Sequence, residues 1–118
     1  MRNKNAVCAQ LDNIASECNS PNWGTYGELP THQLAINAAK AFVNLLPDGV
    51  ALPDSAPEPT GDVSLDWCGS DGSRLSVGFS RNSMLSYAWL DGSNKGYGVE
   101  KFDGESIPKR LFFLIRSI

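Results

Sequence analysis

His32 is the one histidine of the chain, and Cys8, Cys18 and Cys68 are its thiols. A cysteine beside a histidine can supply a thiolate nucleophile and an imidazole base. Cys68, at the end of an expected strand, is the only thiol read outside a helix, so the pair to weigh is Cys68 with His32. Neither sits in a supporting motif, and His32 at a helix start reads better as a plain surface residue. One histidine without a spaced cysteine pair gives no zinc ligand set. Asp71-Gly72 and Asp91-Gly92-Ser93-Asn94 resemble calcium loops only superficially. Neither runs on to a closing glutamate, so both read as hairpin turns. Gly92, Gly96 and Gly98 lack the lysine and the strand–turn–helix setting of a phosphate loop. The residues therefore predict no metal, no cofactor and no enzyme activity.

The remaining signal is aromatic and acidic. Trp23 and Tyr26 lie in the segment Asn22-Trp23-Gly24-Thr25-Tyr26-Gly27. Large rings between glycines make a shaped loop that either plugs a core or presents a surface. Plugging of a helix–sheet junction is the first expectation, and surface recognition is the alternative. Trp67 and Trp89 share strand faces with Val63, Leu65 and Leu85, which predicts core. Net charge is −3, and residues 47–62 carry Asp48, Asp54, Glu58 and Asp62 with no base. No basic stripe exists, so direct contact with a nucleic-acid backbone is not expected. An acidic segment can steer a protein to a basic partner surface, or be no more than a solvated linker. The candidate partner-binding residues are Trp23, Tyr26, Asp54, Glu58, Asp62, Glu100, Asp103 and Glu105.

The elements that must hold these residues follow from periodicity. A length of 118 residues predicts one domain with a core that needs no staple. An odd cysteine number without metal or redox spacing predicts reduced thiols in a cytoplasmic protein, with Cys18 a small buried hydrophobe. The polar start Met1-Arg2-Asn3-Lys4-Asn5 predicts no signal peptide, and no run is long enough for a membrane span. Residues 5–19 read as a helix, with Val7, Leu11, Ile14 and Cys18 on one face. A second helix spans 32–46, with Thr31 as its N-cap and a stripe of Leu34, Ala35, Ala38, Ala41, Phe42, Leu45 and Leu46. Pro47, Pro53, Pro57 and Pro59 make residues 47–62 an extended surface connector. From residue 63 the period is two. Val63, Leu65, Trp67; Leu75, Val77, Phe79; Leu85, Tyr87, Trp89; and Tyr97, Val99, then Phe102, read as a four-stranded antiparallel meander with one apolar and one wet face. Ile107-Pro108 opens a last helix, whose stripe of Ile107, Leu111, Leu114, Ile115 and Ile118, extended by Phe112 and Phe113, predicts burial against the sheet. The expectation is one α+β domain over 1–118: a helical half at 5–46, the connector, and the sheet with its helix at 63–118.

The loop, the Pro30-Thr31 helix start and the Leu45-Leu46-Pro47 connector occur in order. After them come Val63-Ser64-Leu65-Asp66-Trp67, Leu85-Ser86-Tyr87-Ala88-Trp89-Leu90, Gly98-Val99-Glu100-Lys101-Phe102 and Ile107-Pro108. Together they resemble, over most of residues 20–118, a family of small uncharacterised bacterial proteins whose loop usually reads Asn-Trp-Asp-Gly-Tyr-Gly. This chain departs from that pattern at Gly24-Thr25. The resemblance implies the fold and a bacterial or phage source, and no mechanism.

By elimination the leading expectation is a non-enzymatic protein-binding inhibitor from a phage or mobile element. Such an anti-CRISPR-like protein would use its acids on the basic surface of a nucleic-acid-binding defence complex. An antitoxin or immunity partner is the alternative, and a small enzyme using Cys68 or His32 ranks last. A monomer and a homodimer both fit, because an open sheet leaves edges that can pair.

Overall fold

The computed structural model describes residues 2–118. Among them the order is α1 (Lys4–Glu17), α2 (Gln33–Leu45), β1 (Asp54–Pro57), β2 (Val63–Cys68), β3 (Arg74–Phe79), β4 (Met84–Asp91), β5 (Asn94–Lys101) and α3 (Lys109–Arg116). The α+β class is as expected, with one strand more. No described helix is long and apolar enough to cross a membrane.

Asn3 starts α1 by accepting the Ala6 N–H at 2.9 Å, which satisfies a donor the helix leaves free. Val7, Leu11, Ile14 and the following Cys18 are buried as their spacing predicts. The cap of α2 is His32, not Thr31: its Nδ1 accepts the Leu34 N–H at 3.4 Å. The Thr31 hydroxyl is buried and has no hydrogen-bond partner among the described residues. The buried stripe of α2 also differs from expectation. Ala35, Ile36, Ala39, Phe42 and Val43 face the core, while Leu34 is exposed.

The sheet is a meander in the order β1-β2-β3-β4-β5, antiparallel throughout. β1 corrects the reading of 47–62 as bare connector. Its four residues have no apolar alternation, and they pair from Asp54 opposite Asp66 to Pro57 opposite Val63. Pro57 is admissible there because β1 is an edge. The Trp67 indole N–H donates to the Ala51 carbonyl at 2.9 Å and ties the rest of the connector to β2.

One face carries the core. Val63, Leu65 and Trp67 of β2 lie beside Phe79, Val77 and Leu75 of β3, which lie beside Leu85, Tyr87 and Trp89 of β4. Phe42 of α2 meets Trp67, Phe79 and Phe102 edge-on, at ring-centroid distances of 6.3, 5.3 and 5.5 Å. The other face has no helix over it. Its central positions are Ser64, Ser76, Gly78, Ser86 and Ala88.

β5 breaks the expected alternation. Tyr97 and Val99 point to the open face and are 88% and 63% exposed. Gly96 and Gly98 take the core-side positions, under the rings of Trp89 and Tyr87. A Cβ would stand 2.7 Å from Trp89 Nε1 at Gly96, and 2.5 Å from Tyr87 Oη at Gly98. The two rings cover the strand only because it offers no side chain there. In α3, Leu111 and Ile115 are buried, but Phe113 is exposed, so this helix is less enclosed than its composition predicts.

Candidate protein-binding surface

The Asn22–Glu28 loop is built around two acceptors. Asn22 Oδ1 takes the Gly27 N–H at 2.7 Å, and Glu28 Oε1 takes those of Tyr26 at 2.9 Å and Gly24 at 3.2 Å. The Asn22 N–H donates to the Glu28 carbonyl at 2.7 Å, and the Thr25 N–H to the Asn22 carbonyl at 3.1 Å. Asn22, Thr25 and Gly27 all have left-handed backbones, with φ of 62°, 70° and 81°. Asparagine and glycine adopt that region readily, whereas a β-branched threonine is strained in it.

Glu28 was not singled out in the sequence, yet it organises the loop. It is only 7% exposed, and its carboxylate occupies the space that a Cβ on Gly24 would need. Burial pushes its carboxyl up. The backbone N–H groups of Glu28 itself, Tyr26 and Gly24 pull it down by more, so it sits below the usual glutamate range.

The loop's two rings have opposite fates. Trp23 is half-buried against the core, and its indole N–H donates to the Leu29 carbonyl at 2.8 Å. Tyr26 is 91% exposed, which overturns the expectation that it plugs the junction. Leu29 and Leu34, on the same stretch of chain, are also exposed.

Hydrogen bonds join this loop to the β1–β2 turn. The Leu29 N–H donates to Pro59 O at 2.8 Å, and the His32 N–H to Gly61 O at 2.9 Å. Gly61 has φ 92°, and a Cβ on it would stand 2.8 Å from the Pro30 carbonyl oxygen. Tyr26, Glu58 and Asp62 therefore belong to two directly bonded segments. Glu58, Thr60 and Asp62 also wall one side of a depression of about 420 Å³ on the open sheet face. Ser64, Ser76, Gly78 and Ser86 floor it, and Tyr97 and Val99 stand on the far side. Asp66 accepts hydrogen bonds from the hydroxyls of Ser76 at 2.6 Å and Ser64 at 3.1 Å.

The other predicted acids are not gathered there. Asp54 lies at the opposite end of β1 and is ion-paired with Arg2. Glu100 lies within β5 and Asp103 and Glu105 follow its end, about 19 Å across the sheet from β1 at normal strand spacing. Asp103 is a turn residue. The N–H groups of Glu105 at 2.8 Å and Ser106 at 3.1 Å donate to its carboxylate and hold it below the usual aspartate range.

The residues that could do chemistry stay apart. His32 bonds to Gly61, just before β2 begins, and Cys68 ends β2 about 17 Å further along at strand rise. Among the described residues no group of three potential metal ligands exists. A hollow of about 310 Å³ lies under α3, against Trp89, Leu75, Leu114 and Ile118. Strand register turns Arg74 and Lys95 to the opposite face, and Arg110 covers the Trp89 ring at 5.9 Å. Arg74, Lys95, Asp91, Asn94 and Ser117 still border its rim, but its wall is mostly apolar, and it reads as loose packing at a helix end.

No family model, curated protein or solved structure matches this chain.

Proposed function

We propose that this is a non-enzymatic protein-binding protein, and that Tyr26 with the Glu58–Asp62 turn and the open sheet face beside it is the binding surface. The observation that carries this reading is the construction of the Tyr26 loop. Five of its backbone N–H groups are satisfied and a buried carboxylate anchors it, yet its tip holds a tyrosine out in water. An exposed aromatic on a pre-ordered loop binds with little entropy loss, which is how an interface anchor is made. Glu58 and Asp62 direct that anchor towards a basic partner. A nucleic-acid-binding defence complex is the partner class we favour, with the chain acting as a small inhibitor of the anti-CRISPR type.

Kinship with the Asn-Trp-Asp-Gly-Tyr-Gly proteins belongs to the same proposal. The family's glycine falls on Thr25, the position with φ 70°, which gives that glycine a backbone reason.

The test is capture from bacterial lysate on immobilised protein, comparing the wild type with Glu58→Lys/Asp62→Lys. The wild type should retain one basic partner in stoichiometric amount and release it as salt rises, and the charge-reversed variant should retain none. Equal capture by both proteins contradicts the proposal.

A further inference from the structure

The two edges of the sheet are finished differently. β1 is closed from the side: the Ser55 N–H and hydroxyl donate to Gln10 Oε1 of α1 at 3.3 and 2.9 Å. Arg2 donates to the carbonyls of Leu52 at 2.7 Å and Pro53 at 3.0 Å, and Pro57 has no N–H to leave unpaired. On β5 no such partner exists among the described residues. Its turn has two residues, Gly92 with φ 63° and Ser93, so Asp91 and Asn94 form the closing hydrogen-bonded pair. Alternation from that pair sends the backbone groups of Asn94, Gly96, Gly98 and Glu100 to β4. Those of Lys95, Tyr97, Val99 and Lys101 point away from the sheet. β5 thus offers a ladder of unpaired donors and acceptors eight residues long, beside two exposed side chains.

Charge selects what can pair there. A second copy in the full-length antiparallel register would set Lys95 opposite Lys101 of the other copy, twice. Like charges directly opposite destabilise a pair of strands. The same lysines favour a strand with acids in those positions. We propose that the β5 edge is a docking site for an extended acidic segment of another protein. The segment adds a sixth strand, with acidic side chains six residues apart facing Lys95 and Lys101 and apolar ones between them facing Tyr97 and Val99. This site needs neither Tyr26 nor Glu58, although Tyr97 and Val99 also border the open face proposed above, so Glu58→Lys/Asp62→Lys should leave it intact.

The probe is a nine-residue peptide that alternates threonine with, in order, glutamate, valine, valine and glutamate. Amide hydrogen exchange of the whole chain is followed by NMR as peptide is added. Exchange at Lys95, Tyr97, Val99 and Lys101 should slow together, and a peptide with lysine for glutamate should bind about tenfold more weakly. Lys95→Glu/Lys101→Glu should reverse that preference. Val99→Pro removes an outward N–H that β4 does not use, and should abolish binding with the fold intact. Unchanged exchange at the four amides, or equal binding of the two peptides, overturns the proposal. So does a concentration-dependent dimer that Val99→Pro dissociates, because the edge would then take a second copy.

Discussion

On the helix side of the sheet, Val63, Leu65, Trp67, Val77 and Phe79 are buried under Phe42 and its neighbours on α2. On the other side, between the same strands, the side chains are Ser64, Ser76, Gly78, Ser86 and Ala88, and their border is Tyr97, Val99 and the Glu58–Asp62 turn. One face spends its large residues on cohesion. The other keeps its centre small and its large residues at the margin, where they contribute nothing to the core. On the reading proposed above, stability and recognition separate face by face, and variants can be chosen to move one without the other.

The largest expected effect is on the packed face. Phe42→Ala removes the ring that meets Trp67, Phe79 and Phe102, and should lower stability by about 3–5 kcal/mol in a denaturant titration. A loss below about 1 kcal/mol would mean that the aromatic cluster is not the core. Next comes Gly96→Ala, whose Cβ meets the Trp89 ring and should lower stability by about 1–3 kcal/mol. If that variant is as stable as the wild type, the account of why Tyr97 and Val99 face outward fails.

A smaller effect concerns the loop and pH. The carboxyl of Glu28 is held low in the folded protein, so its contribution is present above the ordinary glutamate range. It fades as pH falls through the folded value. Glu28→Gln should therefore flatten the acid side of a melting-temperature profile. Asp71, held low by Ser73, and Asp103 supply the slope that remains. An unchanged acid limb would show that the Glu28 carboxylate does not anchor the loop. The smallest effect is on the open face: Ser86→Ala should leave stability within about 0.5 kcal/mol of wild type.

The helices and four strands were legible because their periods are long and clean. β1 was not, since Asp54-Ser55-Ala56-Pro57 carries no alternation and is a strand only because β2 lies beside it. The face of α2 is ambiguous in the sequence, because alanines at 35, 38, 39 and 41 make neighbouring stripes alike and the pattern does not separate Leu34 from Ile36. On β5 the sequence carries a signal of its own. Gly96 and Gly98 alternate opposite the alternating Trp89 and Tyr87, which assigns the rings to the glycine side and Tyr97 to the other. Of the predicted site, Tyr26, Glu58 and Asp62 are joined by a fold-level hydrogen-bond pattern that no local spacing encodes. Glu28 left no mark, because a carboxylate accepting from backbone two and four residues earlier has no fixed motif.

The central claim is that Tyr26 stands on a rigid platform before any partner arrives. Backbone ¹⁵N relaxation of the free protein, read at Gly24, Thr25, Tyr26 and Gly27, tests it most directly. The account predicts order parameters of about 0.85, equal to those of the strands. Values below about 0.6 at these four residues would contradict it, because a loop that must be ordered on binding is not a pre-formed anchor.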